Sequence, residues 1–254
     1  MFKPANLESI VSYCEKKLRH SEINDWPRAK NGLQVTNNGK VTRIAASVDS
    51  HLGVIEQAAE QGIDLLLVHH GLFWNELTPI KETSYTKLKL LFDHNIALFS
   101  SHLPLDLHPQ LGNNACIAKL LGLKYKKPFG EAKGELAGFH GIMDTTRDDL
   151  LGNLTKIFGK KPNLLPGGKD TVQRVGIVSG GAADNLFEAS ALDLDAFITG
   201  EGAHWTYGAA MEAGLNVYYG GHYLTETFGV KALADHLSKK YNIPWEFIDL
   251  PSGL

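Results

Sequence analysis

The sequence predicts an α/β protein built from two related α/β units, each with a mainly parallel central sheet and flanking helices, and a metal site in the cleft between them. Three observations carry this reading. Apolar, β-rich runs alternate with amphipathic helical patterns. The stretch 43–71 has a gapless counterpart at 174–202. Histidines and carboxylates collect just beyond the expected carboxyl ends of strands, where parallel sheets bind ligands.

Along the chain, Leu7, Ile10, Val11, Cys14 and Leu18 recur at helical spacing with Glu8, Glu15, Lys16 and Lys17 between them. That is an amphipathic helix, not a signal peptide, and Cys14 belongs to its core face. Positions 34–35 and 41–42 look like a hairpin across Asn38-Gly39, a dipeptide suited to a type I′ turn. A strand at 43–48, a helix at 53–61, a strand at 65–68, a helix near 87–94 and a strand at 96–99 give a βαβαβ rhythm. A helix at 113–121 follows, and 123–134 (LKYKKPFGEAKG) reads as a linker or exposed crossover. A boundary near Lys126 makes the first domain 1–126 plus 221–254, because the last stretch is expected to pack back on the first half, and the second 127–220.

The repeat organises the second half. RIAASVDSHLGVIEQAAEQGIDLLLVHHG overlays RVGIVSGGAADNLFEASALDLDAFITGEG, with Arg43 on Arg174, Ala58 on Ala189, Asp64 on Asp195 and Gly71 on Gly202. At the next strand, 96–106 (IALFSSHLPLD) overlays 216–226 (NVYYGGHYLTE), placing His102 on His222 and Asp106 on Glu226. A helix is expected after each, the later one at 228–237.

Bulk properties exclude several function classes. The chain has 254 residues, enough for two modest cores, and a net charge of -3 that supplies no overall attraction to nucleic acid or anionic lipid. Its two cysteines can form neither a disulfide framework nor a four-sulfur zinc site, which fits a reducing cytosol. The longest apolar run, 63–68, is interrupted by Asp64 and far short of the roughly 20 residues a membrane helix needs. A soluble, cytoplasmic protein is therefore expected.

Single motifs are weak in a chain with 11 histidines: His140 and Asp144 have the His-x-x-x-Asp spacing inside an apparent strand, 137–143, and are read as coincidence. Position separates the others. His69 and His70, adjacent at a strand end, can share a site only where the strand gives way to a turn, which Gly71 permits. His222 and Glu226 share one helical face if the helix starts at His222; otherwise Thr225 or Thr227 caps it. Imidazole and carboxylate without thiolate suit Zn, Fe, Mn or Ni better than Ca or Mg. Five ligands exceed the three of one open zinc site and fit two divalent transition-metal ions with a bridging carboxylate. Asp49 is a candidate for supporting a ligand histidine, and Glu201 and His204 for lining the same cleft. The glycines of Ser179-Gly180-Gly181 follow a strand and precede a helix and could offer N–H groups to a phosphate, but no Walker or GxGxxG pattern supports that, and a plain turn is the preferred reading.

LLLVHHG at 65–71, SSHLPLDLHPQLGNNA at 100–115, GGHYLTE at 220–226 and NGLQV at 31–35 together resemble the dinuclear-metal-centre family known as the GTP cyclohydrolase 1 type 2 homologues, in its short form and over essentially the whole chain. The resemblance implies that His69, His70, Asp106, His222 and Glu226 hold the metal pair, with Glu226 bridging and His102 nearby. It also implies a homo-oligomer, a hexameric toroid with the sites facing an internal cavity. Such a site would hydrolyse its substrate through a metal-bridging water or hydroxide, with Asp106 and Glu226 essential, and the family label points to a purine nucleotide such as GTP. The well-understood GTP cyclohydrolase I family uses a Cys/Cys/His zinc site, which this sequence lacks, so a phosphoesterase or amidohydrolase-type reaction on another nucleotide fits the same ligands. The rival class is a non-catalytic, ring-shaped regulator or scaffold for a protein or single-stranded nucleic acid, the latter disfavoured by charge.

Overall fold

A computed structural model describes residues 3–74 and 79–253. Two compact units emerge: Met1–His108 with Gly229–Leu250, and Pro109–Phe228 with Pro251–Leu254.

In the first unit, β1 (Ala5–Asn6) leads into α1 (Leu7–Leu18), whose start is capped by the Asn6 side chain accepting from the Ser9 N–H at 2.9 Å. Then come β2 (Gly32–Val35), β3 (Lys40–Val41), β4 (Ile44–Asp49), α2 (Leu52–Glu60), β5 (Leu65–His70), α3 (Glu82–Asp93), β6 (Ala97–Ser100) and the single turn α4 (Leu103–Asp106). The second unit holds α5 (Asn113–Leu120), β7 (Lys124–Ala132), β8 (Glu135–Thr146), α6 (Arg147–Phe158), β9 (Asn163–Pro166), β10 (Thr171–Ile177), α7 (Leu186–Ala191), β11 (Ala196–Thr199), α8 (Thr206–Ala213) and β12 (Asn216–Tyr219). α9 (His222–Tyr241) begins in the second unit and ends in the first, which β13 (Trp245–Phe247) completes.

The first sheet runs β13-β4-β5-β6-β2, parallel throughout except for β2, which lies antiparallel to β6. The second runs β7-β8-β10-β11-β12-β9, with β10, β11 and β12 parallel and β9 antiparallel to β12. Each unit thus has three successive parallel strands closed by an earlier strand running backwards at the edge. The helices cover apolar strands on which Val54, Ile55, Leu66 and Leu98 pack in one unit and Val175, Ile198 and Tyr218 in the other. Cys14 is fully buried, as its helical face predicts.

The repeat extends to single hydrogen bonds. Asp64 Oδ2 accepts from the N–H groups of Thr42 and Arg43 at 2.6 and 3.1 Å, while Asp195 Oδ2 accepts from those of Gln173 and Arg174 at 2.9 and 2.8 Å. Each carboxylate ties the entry of one strand to the entry of its neighbour.

Three expectations are corrected. β2 and β3 form no hairpin: β2 pairs with β6, and β3 with β1. The turn is real, since the Gly39 N–H donates to Asn37 Oδ1 and Gly39 sits at φ 86°, but Asn37 Nδ2 also donates to the Asp64 and Lys40 carbonyls and redirects the chain. The expected linker at 123–134 is most of a long hairpin, β7 against β8, so the unit break falls at His108/Pro109 and not near Lys126. Its Lys-rich composition belongs to an edge strand, where charge discourages further pairing. Finally, Leu65 pairs with Ala97 and its counterpart Ala196 pairs with Asn216, so the 96–106 overlay is one residue out of step. A slip of one residue exchanges the faces of a strand. His102 precedes α4, whereas His222 opens α9.

Candidate metal centre

In the first unit, β5 ends on the histidine doublet. His69 is fully buried and His70 half-buried, and their ring centroids are 4.8 Å apart. They come together because Gly71 turns the chain at once, against the Gln34 amide, which a Cβ at Gly71 would strike. Gln34 Oε1 accepts the Leu72 N–H at 2.7 Å and Asn31 Oδ1 accepts the His102 N–H at 2.7 Å. The NGLQV segment is therefore the brace of both histidine-bearing loops.

Each imidazole is oriented through Nδ1. His69 donates to the Ser101 carbonyl at 3.0 Å, His70 to Asp49 Oδ1 at 2.8 Å, and His102 to Asp25 Oδ1 at 2.9 Å. These acceptors keep the proton on Nδ1 and leave the lone pair on Nε2, the arrangement that a metal-ligating histidine needs. One ligand nitrogen from each of His69, His70 and His102 lies within 4.8 Å of the others. Asp106, buried on α4, places Oδ2 3.4 Å from His69 Nε2. Pro104, early in α4, suits a helix start that forgoes a backbone donor.

Asp25 was missed by sequence reasoning. Burial alone would raise its carboxyl, but the His102 hydrogen bond and charge, with Asn31 and the Trp26 N–H, overcome that and hold it below the usual carboxylate range. Nothing local marks it, since its partner lies 77 positions away.

In the second unit, α9 starts at His222, so the four-residue spacing stacks His222 and Glu226 on one face. His222 Nε2 is 3.2 Å from Glu226 Oε2, and His222 Nδ1 meets Glu201 Oε1 at 2.9 Å. The Glu226 hydrogen bond, opposed by burial and aided by Glu201, pushes the His222 pKa up to about 9. A proton thus sits between imidazole and buried carboxylate where a cation could replace it. Gly180, at φ 69°, leaves room for Glu226, whose Oε1 would collide with a Cβ there. The N–H groups of Ser179 and Gly180 are already donated to Asn114 Oδ1 and Thr225 Oγ1, which favours the plain turn over a phosphate loop.

A family model described as Duf34/NIF3 (NGG1p interacting factor 3) matches residues 5–252. The chain belongs to the Duf34/NIF3 family. Among its Duf34/NIF3 relatives, the protein named GTP cyclohydrolase 1 type 2 homolog from Deinococcus radiodurans is 41% identical over 88% of this chain and 86% of its own. The protein of the same name from Halobacterium salinarum is 39% identical over 98% of this chain and all of its own. TTHA1606 from Thermus thermophilus superposes with a TM-score of 0.89 at 37% identity, covering 98% of this chain and 100% of that one. Reduced HcgD from Methanocaldococcus jannaschii, at 25% identity, gives 0.86 over 98% of this chain and 100% of that one. Among the described residues no helix is long and apolar enough to cross a membrane.

Proposed function

We propose that this Duf34/NIF3 chain is a metal-dependent hydrolase holding two divalent transition-metal ions, Zn, Fe, Mn or Ni, with His69, His70, Asp106, His222 and Glu226 as the ligands. The observation that supports it is a shared local design. In each unit an imidazole engaged at Nδ1 aims Nε2 at a buried carboxylate oxygen, at 3.4 Å for His69 and Asp106 and 3.2 Å for His222 and Glu226. Nitrogen and oxygen donors without thiolate fit those metals. When bound, such a pair would polarise a substrate oxygen and supply a nucleophilic water near neutral pH.

The chain's own residues divide the remaining tasks. Asp106 and Glu226 would bring the negative charge that holds the cations, with Glu226 proposed as the ligand common to both. Asp49, Asp25 and Glu201 keep the Nδ1 proton of His70, His102 and His222 in place. A purine nucleotide is the proposed substrate, supported by the names of the relatives, and a hexameric ring the proposed assembly, supported by the family resemblance.

The test combines elemental analysis of the purified protein with a nucleotide and phosphoester hydrolysis screen. Two metals per chain and turnover that disappears in Asp106→Ala and Glu226→Ala are expected. Fewer than two metals per chain would refute the metal pair. A fully loaded protein that is inert across the screen, yet binds a protein or single strand after chelation, would leave the non-catalytic scaffold.

A further inference from the structure

Beside Glu201 and wholly within the second unit lies a cavity of about 270 Å³ whose walls include Lys160, Lys161, Asn163, Glu201, Gly202 and Tyr219. Its position follows from topology. α6 ends at Gly159, which takes the left-handed conformation at φ 71° and turns the chain back. β9 runs antiparallel to β12, with Asn163 opposite Tyr219, so the segment before β9 necessarily lies at the carboxyl end of the parallel strands. That end is where open α/β sheets bind ligands.

The first unit uses the same place differently. The segment before β2 sits at the matching corner, and there Asp25 and Asn31 grip the His102 loop through side-chain hydrogen bonds. The repeat overlay carries Ala29 and Lys30 onto Lys160 and Lys161. In the second unit this corner ties no histidine; it presents two exposed lysines instead. Lys160 Nζ donates to the Gly253 carbonyl at 3.3 Å, and neither lysine has an ion-pair partner among the described residues. The one carboxylate in the wall, Glu201, has Oε1 engaged by His222 Nδ1. Glycines 200, 202, 220 and 221 line the cavity and leave it without side chains on that side.

We propose that this cavity is the anion subsite of the candidate centre, in which Lys160 and Lys161 bind a phosphate or pyrophosphate group of the substrate. Glu201 is common to the cavity wall and to the hydrogen bond that orients His222, so an anion seated on the lysines would extend its substrate toward that histidine. Two unneutralised ammonium groups in a concave wall focus a positive field, which suits a multiply charged oxyanion and disfavours a neutral base or sugar. This deepens the hydrolase reading and rests on it for its place in catalysis; binding of the anion can be read separately.

The experiment is calorimetric titration of the full chain with inorganic pyrophosphate, comparing wild type, Lys160→Gln/Lys161→Gln and Lys160→Arg/Lys161→Arg, each as purified and after chelation, with metal content measured in parallel. The Gln pair is expected to weaken pyrophosphate binding by at least about tenfold in both metal states, with unchanged metal content, and the Arg pair to retain it. Equal affinity in wild type and the Gln pair would overturn the subsite, as would binding that vanishes from wild type on chelation or a Gln pair that loses its metal. A chain that is purified without any metal and still binds pyrophosphate through the lysines would uphold the subsite and refute the metal reading.

Discussion

At His69, His70, His102 and His222 the Nδ1 proton is held by a carbonyl or a carboxylate, and three of the four acceptors are side chains on other elements. Asp49→Asn removes the charge that keeps the His70 proton on Nδ1 while preserving the shape. It is expected to weaken metal binding by about 10- to 100-fold with little change in the melting temperature of the chelated protein, measured by competition with a chromophoric chelator. His20 is one of the residues on which acid stability depends. His20 stacks on Phe99 at 5.5 Å and bonds Ser101 Oγ at 2.9 Å, and burial lowers its pKa to about 4. The unfolded chain, with a His pKa near 6.5, therefore takes up a proton that the folded chain refuses. The His20 contribution is fully present above pH 6.5 and is lost as pH drops toward 4, up to about 3 kcal/mol. Urea unfolding across that range should show the decline, and a flat profile would contradict it.

The elements explain why these residues meet. The turn after the β5 doublet is possible because Gly71, lacking a Cβ, leaves room for the Gln34 amide, and Glu226 on α9 fits because Gly180 leaves room for its carboxylate. Gly180→Ala puts a Cβ against Glu226 Oε1 at a φ of 69°, a region that costs a non-glycine residue about 1–2 kcal/mol. The expected outcome is a modest drop in melting temperature with a large loss of bound metal, read by calorimetry and elemental analysis on the same sample. The duplicated carboxylates offer a second check. Asp64→Ala and Asp195→Ala each strand two backbone N–H groups at the entry of a strand and should cost about 1–3 kcal/mol, by similar amounts, in chemical denaturation.

For the whole molecule, a bound metal pair would be a ligand of the folded state. Chelation should lower the unfolding midpoint, because a ligand at about 100 times its Kd stabilises by about 2.7 kcal/mol. If residues of both units hold the same ions, hydrogen exchange should show protection lost around His70 and around His222 together. Loss around one alone would mean that the half-sites bind independently.

Much of this was legible in the residues themselves. Periodicity placed α1, β4, α2, β5 and β6, because each buries a regular apolar face whose spacing is local. The repeat announced a second unit of the same order, and the histidines and acids stood out at its strand ends. What was not legible depends on partners distant in the chain. Asn38-Gly39 makes its turn in either arrangement, and only the sheet decides that β2 joins β6. The one-residue slip between 96–106 and 216–226 shows in strand pairing alone. Asp25 was invisible because a carboxylate acquires its role from the imidazole folded onto it. By itself the sequence determined the pattern of elements and the chemical types at their ends. Tertiary structure decided strand pairing, the tautomer of each histidine and the place of Lys160 and Lys161, because hydrogen bonds and charge act across space while periodicity acts along the chain.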